Sequence, residues 1–206
     1  MEVSVTRIYL VRHGESEDNA NGIVGGRREA RLTARGIAQV ESTAAYFARQ
    51  GIRPSVTYTS NQVRAVATAE IITTKLFLPS AMIKSSLKER DLGDITGMRK
   101  ESIGAKTAGD MILGHDNRRF ILAPKGGETF PQVIERGQKI LDYTRINHAG
   151  ESVLLVTHAI TGLMIMATYY GIRWEEALRK YRLGNASITV LDRDTRPQNA
   201  TIYEPH

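Results

Sequence analysis

Two histidines each follow a run of apolar residues that predicts a buried β-strand. Residues 8–11 read IYLV and lead into Arg12 and His13, while residues 152–157 read SVLLVT and lead into His158. The carboxyl ends of parallel strands meet at one edge of an α/β sheet, where ligands bind. We therefore expect both imidazoles to lie beside the Arg12 guanidinium, an arrangement that suits an anionic ligand and a reactive imidazole.

A further cation is predicted in the first turn of a helix. Residues 56–59 predict a short strand that runs into Ser60 and Asn61, both good helix N-cap residues, and Arg64 follows them. The free N–H groups of that turn and Arg64 would together favour an anion. The alternative is a surface arginine that pairs with Glu70 or another carboxylate.

An acidic loop is predicted at residues 87–97, which read LKERDLGDITG. The segment mixes charges with two glycines and has neither a helical nor a strand period, so it predicts a structured loop. Its Glu89 is either a solvated charge or, in a phosphate site, the group that carries a proton.

Taken in order, these segments resemble the histidine phosphatase superfamily, also called the phosphoglycerate mutase-like superfamily. The resemblance runs from Thr6 to about Thr189, and it departs from the family pattern at Glu29 (usually Asp), Arg31 (usually Pro) and Ala159 (usually Gly). The matching motifs are VRHGESEDN (11–19), GGRREARLTARGIAQ (25–39), TSNQVRAVATA (59–69), LKERDLGDITG (87–97), PKGGETF (124–130) and VLLVTHA (153–159).

The resemblance implies a role for each matching residue. His13 would be the nucleophile that becomes phosphohistidine, and Glu89 would be the general acid and later the base. The phosphoryl group would lie in a charged pocket, because positioned cations do most of the catalysis of phosphoryl transfer. Residues implied for this pocket are Arg12, Arg64, His158 and Asn19, and further phosphate or substrate contacts are expected from Gly25, Gly26, Arg90, Lys100, Arg118 and Arg119.

The family contains both phosphatases and mutases, and the sequence has features of each. Glu89-Arg90 with Lys100 is similar to the mutase acid loop, and Arg118-Arg119 is similar to the arginine pair that holds a substrate carboxylate, although an exposed loop pair is an alternative. The short segment 97–127, AITGL after His158, and LGNASIT at 183–189 are phosphatase-like. We expect hydrolysis of small phosphomonoesters. The alternative is a phosphoglycerate mutase with 2,3-bisphosphoglycerate as phosphoryl donor, and a non-catalytic binder of phosphorylated ligands is disfavoured.

Composition sets the remaining expectations. The 206 residues carry a net charge of +6 and no cysteine, which predicts one domain over 1–206, no disulfides and a cytoplasmic location. Basic residues around the entrance of a site for an acidic substrate would explain the net positive charge, so we expect neither a nucleic-acid nor a membrane partner. Neither a metal nor another cofactor is expected, because no ligand cluster is apparent. A homodimer is left open.

The order of predicted elements favours a three-layer α/β/α sandwich with a mainly parallel central sheet. Residues 98–127 are expected to be irregular or short-helical and to cover the site. Strands are predicted at 6–11, 56–59, 81–84, 152–157, 187–192 and 199–204, and helices at 34–50, 62–77, 130–147, 160–170 and 174–181.

Overall fold

The computed structural model describes residues 6–103, 111–113 and 119–205. Its strands are β1 (Arg7–Arg12), β2 (Val56–Thr59), β3 (Met82–Ile83), β4 (Met111–Leu113), β5 (Arg119–Ile121), β6 (Ser152–Thr157), β7 (Ile188–Leu191) and β8 (Thr201–Tyr203). Its helices are α1 (Glu17–Ala20), α2 (Ala34–Arg49), α3 (Val63–Lys75), α4 (Phe130–Asn147), α5 (Ala159–Tyr170) and α6 (Trp174–Lys180).

Six strands form the central sheet in the order β3-β2-β6-β1-β7-β8. Strands β3, β2, β6 and β1 are parallel to one another, and β7 is antiparallel to both β1 and β8. This arrangement confirms the predicted α/β fold with a mainly parallel sheet. It also places the C-terminal ends of β1, β2 and β6 at the same edge.

Helices cover both faces of the sheet because alternate strand residues point to opposite sides. Ile8 and Leu10 of β1 belong to the core that packs against α4, α5 and α6. Tyr9 and Val11 belong to the opposite core, against α2 and α3. The central strands are therefore apolar on both faces, which explains their unbroken hydrophobic runs in the sequence.

Residues 98–127 differ from the prediction. Where the structure describes them, they contain a 3₁₀ turn at Lys100–Ser102 and the antiparallel pair β4–β5, rather than irregular or helical chain alone. Strands of three residues are too short to show a period, so the sequence could not reveal them.

The N-terminus of α3 is capped by residues other than those predicted. Gln62, rather than Ser60 or Asn61, is the N-cap residue, and its side chain makes no capping hydrogen bond. Instead the carboxylate of Glu29 accepts a hydrogen bond from the Val63 N–H at 2.9 Å. A carboxylate at a helix N-terminus suits both the free N–H groups and the helix dipole.

In the part of the chain that the structure describes, no helix is both long and apolar enough to cross a membrane.

Candidate active site

His13 and His158 lie side by side because they follow neighbouring strands in the same register. Arg12 of β1 pairs with Thr157 of β6, so each histidine is the next residue along its strand. The His13 N–H donates to the Thr157 carbonyl at 3.0 Å, and the two ring centroids are 5.1 Å apart. The sheet itself thus assembles the two imidazoles that the sequence predicts at one edge.

The contacts of His13 fix its tautomer. Its Nδ1 lies 2.7 Å from the Gly14 carbonyl, which can only accept, so Nδ1 carries the proton. Its Nε2 accepts from Arg64 Nε at 3.1 Å. Burial, and then the charges of Arg64 and Arg12, hold the pKa of His13 well below its usual range. The ring is therefore neutral at pH 7, with its lone pair on Nε2.

Gly14 is required by a close approach of two backbone segments rather than by an unusual φ. A Cβ atom on Gly14 would lie 2.4 Å from the Gly36 carbonyl oxygen, and one on Gly36 would lie 2.0 Å from that of Glu15. Glycine at both positions lets the first turn of α2 pack directly against the chain that follows His13.

Two arginines flank His13, and backbone carbonyls orient both of them. Arg64 is 3% exposed and donates to the carbonyls of Arg28 at 2.7 Å and Gly26 at 2.8 Å. Arg12 donates through Nη1 to the Leu183 carbonyl at 2.8 Å. Arg64 faces His13 and makes no pair with Glu70, so the surface-arginine alternative is wrong. Gly26, predicted to contact phosphate, uses its carbonyl to orient Arg64.

His158 lies behind His13 and is fully buried. Its Nε2 is 2.9 Å from the Ser60 hydroxyl, whereas its Nδ1 has no hydrogen-bond partner among the described residues. Burial, and then His13, Arg64 and Arg12, hold the pKa of His158 well below its usual range. Both imidazole rings are therefore neutral, and arginine side chains surround them.

Glu89 is held at the N-terminus of α5. Its Oε1 accepts from the N–H groups of Arg90 at 2.8 Å and Thr161 at 3.1 Å, and its Oε2 accepts from that of Ile160 at 3.3 Å. The Thr161 hydroxyl donates to the Lys88 carbonyl at 2.6 Å and so anchors the same loop. The carboxylate is fixed on the wall of the cavity that His13 also lines.

Two positioning residues were missed in the sequence. Gln62 accepts the Glu89 N–H at 2.8 Å and donates to the Gly26 carbonyl at 3.1 Å, so it ties the acid loop to the loop that orients Arg64. Asn185 donates to the His13 carbonyl at 3.1 Å and to Asn19 Oδ1 at 3.0 Å. The LGNASIT segment drew attention to the region of Asn185 but did not indicate this contact. Nothing in the sequence indicated a role for Gln62.

Arg90, a predicted substrate contact, lines the cavity, but most of its side chain packs inside the fold. It is 1% exposed, and its guanidinium donates to the carbonyls of Glu128 at 2.6 Å, Ile121 at 2.8 Å and Leu122 at 2.7 Å. It also stacks 3.9 Å from the centre of the Phe130 ring. Burial lowers the pKa of Arg90 to about 10, so it stays charged while it cross-links the acid loop to β5 and α4. Three of its five N–H donors thus hold neighbouring backbone in place.

Most of the predicted residues line one cavity of about 770 Å³, whereas His158 is buried beside His13 and does not reach it. Asn19 and Gly25 line it, and Lys100 and Arg119 are exposed cations at its rim. Arg118 lies outside the described residues. The rim also carries Arg35 and Arg182, which the sequence did not single out. Among the described residues, no group of three or more histidines or carboxylates could hold a metal ion.

Comparison with known proteins gives the same family by sequence. The family model described as histidine phosphatase superfamily (branch 1) matches residues 8–203. A metal-independent phosphoserine phosphatase of Arabidopsis thaliana is 32% identical over 191 residues, which cover 93% of this chain and 78% of that protein. A 2,3-bisphosphoglycerate-dependent phosphoglycerate mutase of Methylobacterium radiotolerans is 31% identical over 202 residues, 96% of this chain and 95% of that protein.

Solved structures agree at the level of the fold. Bacillus stearothermophilus YhfR matches with a TM-score of 0.78 and 24% identity, over 97% of this chain and 95% of that one. The mycobacterial glucosyl-3-phosphoglycerate phosphatase in complex with VO3 matches with a TM-score of 0.78 and 22% identity, over 90% of this chain and 92% of that one. With the family model matching nearly the whole sequence, this chain belongs to the histidine phosphatase superfamily, whose relatives named here are phosphatases and a phosphoglycerate mutase.

Proposed function

We propose that this protein hydrolyses small phosphomonoesters through a phosphohistidine on His13. The observation that carries the proposal is the fixed tautomer of His13, whose Nε2 lone pair lies in a cationic pocket while Nδ1 is tied to the Gly14 carbonyl. A phosphoryl group that enters the pocket would take over the Arg64 hydrogen bond, which leaves Nε2 able to attack phosphorus.

The reaction then proceeds in two displacements. In the first, the Nε2–P bond forms as the bond from phosphorus to the ester oxygen breaks, and Glu89 gives its proton to the leaving alkoxide. In the second, Glu89 takes a proton from water, the hydroxide attacks phosphorus, and the Nε2–P bond breaks to release phosphate. Arg12 and Arg64 stabilise the charge on the phosphoryl oxygens in both steps, with Asn19 as a further contact, while His158 packs against the His13 ring from within the protein.

Hydrolysis is favoured over mutase chemistry by the environment of Arg90. A mutase must grip the carboxylate of its substrate, and Arg90 is poorly placed for that task, because it is 1% exposed and gives three of its five N–H donors to backbone carbonyls. The mutase stays the second candidate because Arg119 stands exposed at the cavity rim, where it could meet a carboxylate. In that case 2,3-bisphosphoglycerate would be the phosphoryl donor.

Rapid-quench labelling with a ³²P-phosphomonoester tests the intermediate. We expect an acid-labile phosphoenzyme in the wild type and in His148→Ala, which removes a histidine outside the cavity, but none in His13→Ala. His13→Ala should remain folded and lose turnover by several orders of magnitude. Turnover of His13→Ala at the wild-type rate would refute the assignment.

A substrate panel separates the two candidates. Phosphate release from phosphomonoesters is compared with the interconversion of 3- and 2-phosphoglycerate, with and without 2,3-bisphosphoglycerate. We expect hydrolysis to dominate. Bisphosphoglycerate-dependent isomerisation that is faster than hydrolysis of any tested ester would establish the mutase instead.

Two further tests concern the setting of the enzyme. We predict a cytoplasmic location, which cell fractionation tests. A homodimer stays open, and the exposed apolar residues Met82 and Ile83 of edge strand β3 are the surface to examine for it. Light scattering gives the mass in solution.

A further inference from the structure

The active-site cavity has two chemically different sides. One side carries the nucleophile, the acid and the arginines. The other side carries large apolar side chains, which we call the apolar wall: Ile23, Leu92, Ile103, Phe120 and Ile160. All five are half-buried, and each lines the cavity with part of its apolar surface.

The apolar wall has a rigid backing. Val24, Ile95 and Ile121, which also line the cavity, are 9%, 4% and 6% exposed and form a small core of their own, against which Leu92 and Ile103 pack. The wall is therefore a formed surface. The large apolar residues that are truly exposed, among them Phe77 at 89% and Ile146 at 79%, lie outside the cavity.

The size of the cavity exceeds what a small polar phosphate ester needs. Cavities of roughly 300–1,000 Å³ that combine apolar walls with a few placed polar groups are the usual sites of drug-sized ligands. A phosphorylated three-carbon acid would occupy the cationic side of the 770 Å³ and leave the wall in contact with water. Apolar surface that stays wet contributes nothing to binding.

We propose that the alcohol portion of the preferred substrate is a bulky apolar group that binds against the apolar wall while its phosphate lies on His13. This inference rests on the proposed phosphatase function and narrows it to phosphate monoesters of apolar alcohols. Each methylene buried on the wall contributes up to about fourfold to kcat/KM, the equivalent of about 0.8 kcal/mol.

A series of n-alkyl phosphates from ethyl to hexyl isolates this effect. Their alcohols have nearly the same pKa, so the chemical step makes equal demands on Glu89 and only apolar area changes along the series. We expect kcat/KM to rise with chain length, by at least about tenfold from ethyl to hexyl phosphate, against a ceiling of roughly 250-fold for four fully buried methylenes.

Variants of the wall provide the structural test. In Leu92→Ala/Phe120→Ala, we expect the ratio of kcat/KM for hexyl over ethyl phosphate to fall about tenfold. The ratio is measured on the same active molecules, so partial misfolding cancels. The matched control Ile146→Ala removes an exposed apolar side chain outside the cavity and should keep the wild-type ratio.

The outcomes separate this inference from the function on which it rests. A hexyl-to-ethyl ratio near one in the wild type, or a ratio unchanged in the wall variant, overturns the inference and leaves hydrolysis intact. Absence of both a phosphoenzyme and hydrolysis with every ester overturns the proposed function itself.

Discussion

The two buried imidazoles should make the folded protein sensitive to mild acid. Burial and neighbouring charges hold the pKa values of His13 and His158 well below the unfolded value of about 6.5. Below pH 6.5 the unfolded chain binds protons that the folded chain does not. The free energy of unfolding therefore falls as the pH is lowered through this window, and it is recovered as the pH rises above 6.5.

The magnitude follows from proton binding by the unfolded state alone. At pH 5, a histidine with a pKa of about 6.5 stabilises the unfolded chain by roughly 2 kcal/mol. Two histidines that both stay neutral in the folded protein cost about 4 kcal/mol, a large part of the 5–15 kcal/mol that typical domains possess.

Urea unfolding at pH 7 and pH 5, in buffers free of phosphate, measures this loss. We compare the wild type with His13→Asn, His158→Asn and the double variant, whose amides do not titrate. The double variant should lose about 4 kcal/mol less than the wild type between the two pH values, and each single variant about half of that. An equal loss in the wild type and the double variant would show that the imidazoles are not held neutral, and the tautomer assigned to His13 would fail with it.

Four further predictions test single features. Arg90→Met should lower the free energy of unfolding by about 3 kcal/mol, because buried carbonyls lose their donor; a raised KM at unchanged stability would instead indicate substrate binding. Gly14→Ala should cost roughly 1–3 kcal/mol in urea unfolding through its clash with the Gly36 carbonyl, and wild-type stability would contradict that packing. Glu89→Gln should slow alkyl phosphates far more than p-nitrophenyl phosphate, whose leaving group needs no proton, whereas equal losses would point to another acid. Exhaustive chelation should leave phosphatase activity intact while vanadate inhibits it; activity restored by one added metal would refute metal independence.

The sequence was sufficient for the fold and for the meeting of the two histidines at one sheet edge, because both depend on local patterns. An apolar run that ends in a polar residue predicts a strand and the position of the side chain after it. His13 and His158 satisfy that rule. Because parallel strands share an edge, their meeting could also be predicted.

The role of Arg90 could not be predicted, because it depends on distant backbone. Its carbonyl partners are 31 to 38 residues away in the chain. An arginine next to the proposed acid gives the same sequence pattern whether it contacts substrate or holds the backbone in place. Asn185, which reaches the His13 carbonyl across 172 residues, is hidden for the same reason. Every residue has a backbone carbonyl, so a hydrogen bond to that carbonyl places no requirement on the type of the accepting residue.

The in-register pairing of β1 with β6 makes the catalytic centre a reporter of folding. A slip of one residue would carry His13 about 3.3 Å along its neighbour and turn its ring to the opposite face of the sheet. The paired segments are 145 residues apart, so this contact closes one of the longest loops in the chain and is slow to form by chance. Recovery of activity after denaturation therefore cannot precede the correct closure of the sheet's central strand pair.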